Sequence, residues 1–211
     1  MSEKPELKKS KEELVKLIDD FHFHIMIVLL CMDSLDALRE IGQEAVDAKN
    51  AKNFFYISQT SLIFRYEIEL AKLVNSDEEM NVYSICNLCS NNYAQFGMDF
   101  QHARDLCKEV KQVLKDNKDL NKNIIERRNK ALAHSDITYY LYQKTYVEDF
   151  PLDYEQMKEE AQRIFDFARN LRAGIKQNKL LLYEYQSNTD DVKHLFNMKT
   201  KADIEDDKSN E

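Results

Sequence analysis

The chain has 211 residues, 43% of them hydrophobic, and a formal net charge of −8. That length and apolar content support one sizeable core and fall short of two full domains. Three glycines (Gly42, Gly97, Gly174) and two prolines (Pro5, Pro151) leave almost nothing from which to build phosphate-cradling loops, which excludes most P-loop and dinucleotide-binding folds.

Residues 1–10 are expected to be disordered. The opening "MSEKPELKKSKEE" mixes both charge signs beside no apolar stretch, so no secretory signal is expected and a cytoplasmic location follows. From about Lys11 to Lys49, Leu14, Leu17, Ile18, Phe21, Ile25, Val28, Met32 and Leu35 recur at three- and four-residue steps, the signature of one face of a long helix. Its apolar run "IMIVLLCM" (25–32) is far below the roughly 18 residues a bilayer span needs, so no membrane association is expected. His22 and His24 lie two residues apart, point to different sides of that helix and cannot share a ligand.

A second helix is predicted over about 51–74, ending near "NSDEE", where Asn75, Ser76 and Asp77 are residues of helix stops and N-caps. A short helix in "EMNVYSICNLCSN" follows, and Gly97 separates it from another over 98–116. The "CNLC" of 86–89 has the spacing of half a zinc site, but no second CxxC or HxxxH completes the four ligands. All four cysteines (Cys31, Cys86, Cys89, Cys107) fall in helical patterns and read as small buried thiols of a reducing compartment.

The polar run "KDNKDLNKN" (115–123) predicts a break before a fifth helix, and the aromatic and β-branched stretch 137–150 allows a short hairpin ahead of Pro151. "DYEQ" (153–156) then has a capping-box pattern, with Asp153 as N-cap of a last helix reaching about Lys176. The whole reads as an all-α bundle of about five to six helices, with one domain over 11–186 and a mostly disordered acidic tail over 187–211.

The fifth helix holds the residues of greatest interest, "NKNIIERRNKALAHSD" (121–136). Counting from Ile124 at about 100° per residue, Arg128 falls near 40°, between Ile125, Leu132 and Ala131, and is centred on the apolar stripe. Arg127, Lys130 and His134 form a cationic flank near 300°, 240° and 280°, and Asn129 lies near 140°, by the same count of about 100° per residue. A guanidinium among apolar neighbours needs a carboxylate partner, a solvated seam between subunits, or a phosphate to bind. Glu67 or Glu69 on the second helix could supply the carboxylate. The net charge opposes non-specific binding to RNA, so any RNA contact has to be local, and this stretch is locally cationic.

"RNKALAH" followed by "SD" resembles the Arg-polar-x(n)-His motif of the HEPN superfamily of helical RNases, and the "RNK..AH.D" form is similar to its abortive-infection AbiU-type branch. The likeness extends weakly through "ELAKLVNSDEEMNVYSICNL" (69–88). It implies a HEPN-like fold and metal-independent RNA cleavage, without cofactor, by a homodimer whose motif helices face each other across a composite site. It implies Arg128, Asn129 and His134 as catalytic residues. Arg127, Lys130 and Asp136 beside them are expected as weaker substrate contacts. A histidine titrates in the range for moving a proton to or from a ribose 2′-hydroxyl, and a fixed arginine stabilises charge on the phosphoryl oxygens.

Arg127 lies seven residues before His134, so it competes with Arg128 for the arginine role, and only the match of "RNK" favours Arg128. The resemblance also implies a toxin-antitoxin or abortive-infection setting, with an antitoxin such as a nucleotidyltransferase. Asp136 stands where some relatives carry a tyrosine that such a partner modifies with AMP, which puts that mode of neutralisation in doubt here. Two rival expectations are a catalytically inactive HEPN-like module that binds RNA or protein, and an adaptor whose acidic tail binds a basic partner.

Overall fold

A computed structural model describes residues 10–47, 52–133 and 147–175. Among them are six α-helices and one π-helical segment, and no strand. The helices are α1 (Lys11–Asp47), α2 (Lys52–Val74), α3 (Val82–Phe96), α4 (Phe100–Asp116), α5 (Lys118–Arg127) and α6 (Tyr154–Gly174); the π segment, Arg128–Ala133, continues α5 directly. No helix among the described residues is long and apolar enough to cross a membrane.

At 37 residues, α1 is the scaffold, about 55 Å long. Its first turn is closed by a reciprocal cap in which Ser10 Oγ accepts from the Glu13 amide and the Glu13 carboxylate accepts from the Ser10 amide. Ile18, Phe21, Ile25, Val28 and Met32 are wholly buried, as their spacing predicts, and α2 and α6 pack along this helix. Phe21 meets Phe167 of α6 edge to face, and His22 lies against Phe165. His24, one step round the helix, reaches α2 instead, with Nδ1 3.0 Å from Glu69 Oε2. Polar ties fix the α1–α6 pair further: Tyr154 donates to the Met32 carbonyl, Lys158 bridges Asp33 and Asp36, and Arg172 pairs with Asp19.

The turn after α2 is built differently from its sequence pattern. The N-cap of α3 is Asn81 rather than Asn75, Ser76 or Asp77, and it forms a full capping box with Ser84. At its other end α3 stops on Gly97, whose φ of 68° closes the helix while Met98 N–H reaches back to the Tyr93 carbonyl. The chain reverses there, and α4, capped by Asp99, returns antiparallel to α3. Cys86 and Cys107 pin this hairpin, each thiol donating to the other's backbone carbonyl at 3.9 and 3.7 Å. Cys86 and Cys89 of "CNLC" are both buried, and burial pushes the Cys89 thiol up. Among the described residues no group of three or more His, Cys, Asp or Glu could hold a metal.

The nine-residue break expected at 115–123 shrinks to one residue, Asn117, between α4 and α5. The asparagines that suggested a loop are consumed by the fold. Asn121 is buried and donates to the Leu114 carbonyl and to Glu160 of α6, and Asn123 donates to the Pro151 carbonyl. The hairpin allowed over 137–150 lies mostly outside the described residues, but Val147–Asp149 are helical, so its last part is not strand. Asp153 caps α6 as expected, accepting from the Gln156 amide at 3.0 Å.

Candidate functional site

The end of α5 packs against α2, and so does the π segment that follows it. Leu120, Asn121, Ile124 and Arg127 form the buried face of α5. Arg127 therefore lies in the interior, 7% exposed, and not on the cationic flank where the helical count places it. Its Nη1 is 3.0 Å from Glu67 of α2, which is 1% exposed, and its Nε donates to the Phe150 carbonyl at 2.6 Å. A buried guanidinium held by a carboxylate and a carbonyl has had its hydration replaced by protein.

Arg128 takes a different partner. Neither Glu67 nor Glu69 holds it: Glu67 is engaged by Arg127, and Glu69 by His24, Arg65 and Lys72. Its Nη1 lies 2.6 Å from Oε1 of Glu78, in the turn between α2 and α3, with the two side chains 19% and 31% exposed. Glu78 was not legible as a site residue, because its acidic neighbours make "SDEE" look like an ordinary solvated turn. The turn is nevertheless braced. Glu78 N–H donates to the Asn75 carbonyl, Asp77 N–H to the Asn75 side chain, and the Asn81 amide to the Glu78 carbonyl. The capping residue of α3 thus also fixes the backbone that presents the carboxylate to Arg128.

From Arg128 onward the backbone is π-helical to Ala133. Bonding from i to i+5 widens the turn and changes the angular advance per residue, and such segments are frequent at functional sites. An α-helical count does not carry through it, so the argument that Arg127 shares a face with His134 through seven-residue spacing loses its basis. Asn129 and Lys130 are half-buried. Lys130 pairs with Glu126 at 3.4 Å and lies 4.8 Å from the centre of the Phe150 ring. Phe150 therefore touches both flanking cations, accepting from Arg127 through its carbonyl and facing Lys130 with its ring. His134 and Asp136 lie outside the described residues.

Arg127, Arg128, Asn129 and Lys130 are thus brought to one place at the base of α2, with two carboxylates of opposite character. Glu67 is sealed in the core; Glu78 is at the surface and shares a partly open guanidinium. Only the second arrangement leaves a cation that an anionic ligand can reach by displacing one half-buried carboxylate.

No curated protein and no solved structure matches the chain. A family model described as AbiU2, of the HEPN type, matches residues 11–195 and takes in every helix from α1 to α6 together with the π segment. The chain belongs to the AbiU2 family of HEPN domains.

Proposed function

We propose that this abortive-infection-related HEPN domain is a metal-independent endoribonuclease that works as a homodimer, with Arg128 and His134 as its reacting pair. The observation that carries the reading is the division of labour between adjacent arginines: Arg127 is spent on Glu67, while Arg128 is partly exposed beside Glu78 at the start of a π-helical segment. In this reading His134 moves the proton of the ribose 2′-hydroxyl or of the leaving oxygen, and Arg128 stabilises the charge building on the phosphoryl oxygens. Asn129 positions the phosphate or the histidine. Glu78 holds the guanidinium in place until a phosphate displaces it, and an antitoxin partner such as a nucleotidyltransferase would restrain the activity.

Purified wild type, His134→Ala and Arg128→Met are compared on total RNA and tRNA with a chelator present. Wild type cleaves under these conditions, and each variant loses activity by roughly a hundredfold or more. Equal cleavage by wild type and His134→Ala, or strict dependence on added metal, overturns the mechanism.

One observation favours a second reading. The short Arg128–Glu78 contact suits a purely structural ion pair in a catalytically silent module that binds RNA or protein. There Arg128→Met leaves induced-expression toxicity unchanged, whereas the nuclease loses toxicity while its fold persists.

A further inference from the structure

The cations of α4 fall on one line. Arg104, Lys108, Lys111 and Lys115 follow one another at steps of four, three and four residues. At about 100° and 1.5 Å per residue they lie within about 60° of one another along roughly 16 Å of helix. Arg104, Lys108 and Lys115 are exposed and Lys111 is half-buried. The acids of the helix lie farther round: Asp105 and Asp116 accept from Gln101 and Gln112 along their own row.

Three exposed arginines elsewhere have carboxylates one turn away, in the pairs Arg39–Asp36, Arg65–Glu69 and Arg169–Asp166. None of the four α4 cations is paired with a carboxylate among the described residues. They border an open cleft of about 370 Å³ whose other wall includes Ser90 of α3.

An aromatic ring stands at the head of the line. Phe100, one turn before Arg104, is 47% exposed and leans on Tyr93 with ring centres 5.0 Å apart. The far end has its own significance. Because α3 and α4 are antiparallel and pinned at Cys86 and Cys107, Lys115 lies at the end of the hairpin where α3 begins, the end that carries the Glu78 turn and Arg128.

We propose that this face of α4 is a track for single-stranded RNA, with Phe100 stacking a base and the four cations following successive phosphates toward Arg128. One cation per turn, about 5–6 Å apart, is close to the step between phosphates of an extended strand. An exposed aromatic beside a cationic row is the combination that single-strand binding uses. On a chain of net charge −8, such a row is what local RNA contact requires. The choice of RNA as ligand rests on the nuclease reading; the geometry of the track does not.

The test is fluorescence anisotropy of a labelled 2′-O-methyl oligouridylate, which cannot be cleaved, titrated with full-length protein at several salt concentrations. Changing Arg104, Lys108, Lys111 and Lys115 together to Gln weakens binding at least tenfold and lowers the steepness of the log–log salt dependence by about 2 to 3, at about 0.7 per lost phosphate contact. A variant that keeps half-buried Lys111 and changes the other three shows about three-quarters of the drop in steepness if the full variant folds poorly.

Phe100→Ala weakens RNA binding about fivefold or more and leaves binding of polyglutamate unchanged. A control with Lys16, Arg65, Arg163 and Arg169 changed to Gln removes the same charge elsewhere and retains at least half of the affinity. The track is refuted if the α4 variants bind as wild type does, if the control loses as much, or if polyglutamate competes as well as RNA and Phe100→Ala is silent, which would assign the face to an acidic protein. Cleavage that survives His134→Ala refutes the proposed His134 mechanism and leaves the track standing. Normal cleavage with unchanged binding in the α4 variants refutes the track alone.

Discussion

Removing the charge of Arg127 takes from Glu67 the cation that lies 3.0 Å away in the core. The loss of one partner of a buried pair costs roughly 3–5 kcal/mol, because the remaining charge stays out of water. Arg127→Met is therefore expected to unfold at markedly lower urea than wild type. Arg128→Met gives up a contact at the surface and is expected to cost about 1 kcal/mol or less. Urea melts of the two variants check this ordering, and equal losses would show that the two arginines do not divide the roles as their exposure says. The pair also marks a limit of residue-level reading. A count at fixed angle sees two arginines beside the apolar stripe of a largely polar helix and a choice of acids on α2, but which acid is used depends on how deep α5 sits and on the α2–α3 turn, neither of which is a local property.

Between α5 and α6 the buried Asn121–Glu160 contact carries a pH dependence. Glu160 is 1% exposed, and burial pushes its carboxyl up to about 7 against the opposing hydrogen bonds from Asn121 and Asn117. Asn121 donates to its Oε1 at 2.9 Å, whereas Glu160 Oε2 and Asn121 Oδ1 have no hydrogen-bond partner among the described residues. A proton on Oε2 turns one of these acceptors into a donor.

Between the unfolded carboxyl value of about 4.3 and about 7, the folded chain holds a proton that the unfolded chain has released. Stability from this group is full below that window and falls as pH rises through it. Glu160→Gln, which keeps the shape and carries its own donors, is expected to gain on wild type by up to roughly 3 kcal/mol at about pH 8 and to match it near pH 4. Urea melts at the two pH values decide it, and a gain that does not depend on pH would remove the carboxyl from the account.

The same contact explains what the sequence could tell at this scale. Apolar periodicity placed α1, α2, α4 and α6 to within a few residues, and Gly97 and Asp153 were legible because a cap depends only on its neighbours. Asn117, Asn121 and Asn123 read as a loop because asparagine's local preferences were visible and its partners on α6 and at Pro151 were not. The π segment has no mark in composition at all, since Arg128–Ala133 is as good an α-helix sequence as its neighbours.

At the scale of the molecule, the proposed homodimer needs a surface, and α2 offers a candidate. Phe54, Ile57 and Phe64 lie within about 80° of one another on its outer face, and they are 60%, 61% and 45% exposed. Large apolar side chains gathered on one helix face mark an interaction site more often than isolated ones do. The inner face of the same helix carries Glu67, which anchors Arg127 at the root of the π segment. A second copy seated on α2 would thus back the elements that present Arg128, as a composite site requires.

Burial of each such side chain contributes about 1.5 kcal/mol or more, and two substitutions change four side chains in a symmetric pair. Ile57→Glu with Phe64→Glu is accordingly expected to weaken the dimer by well over about a hundredfold, giving a monomer by sedimentation with an unchanged helical spectrum. RNA cleavage should fall with the dimer while binding of the uncleavable oligouridylate to α4 persists, because that track lies on a helix remote in sequence from the altered face. A double variant that still sediments as a dimer would move the interface elsewhere, and a monomeric variant that cleaves normally would place the whole reaction within one chain.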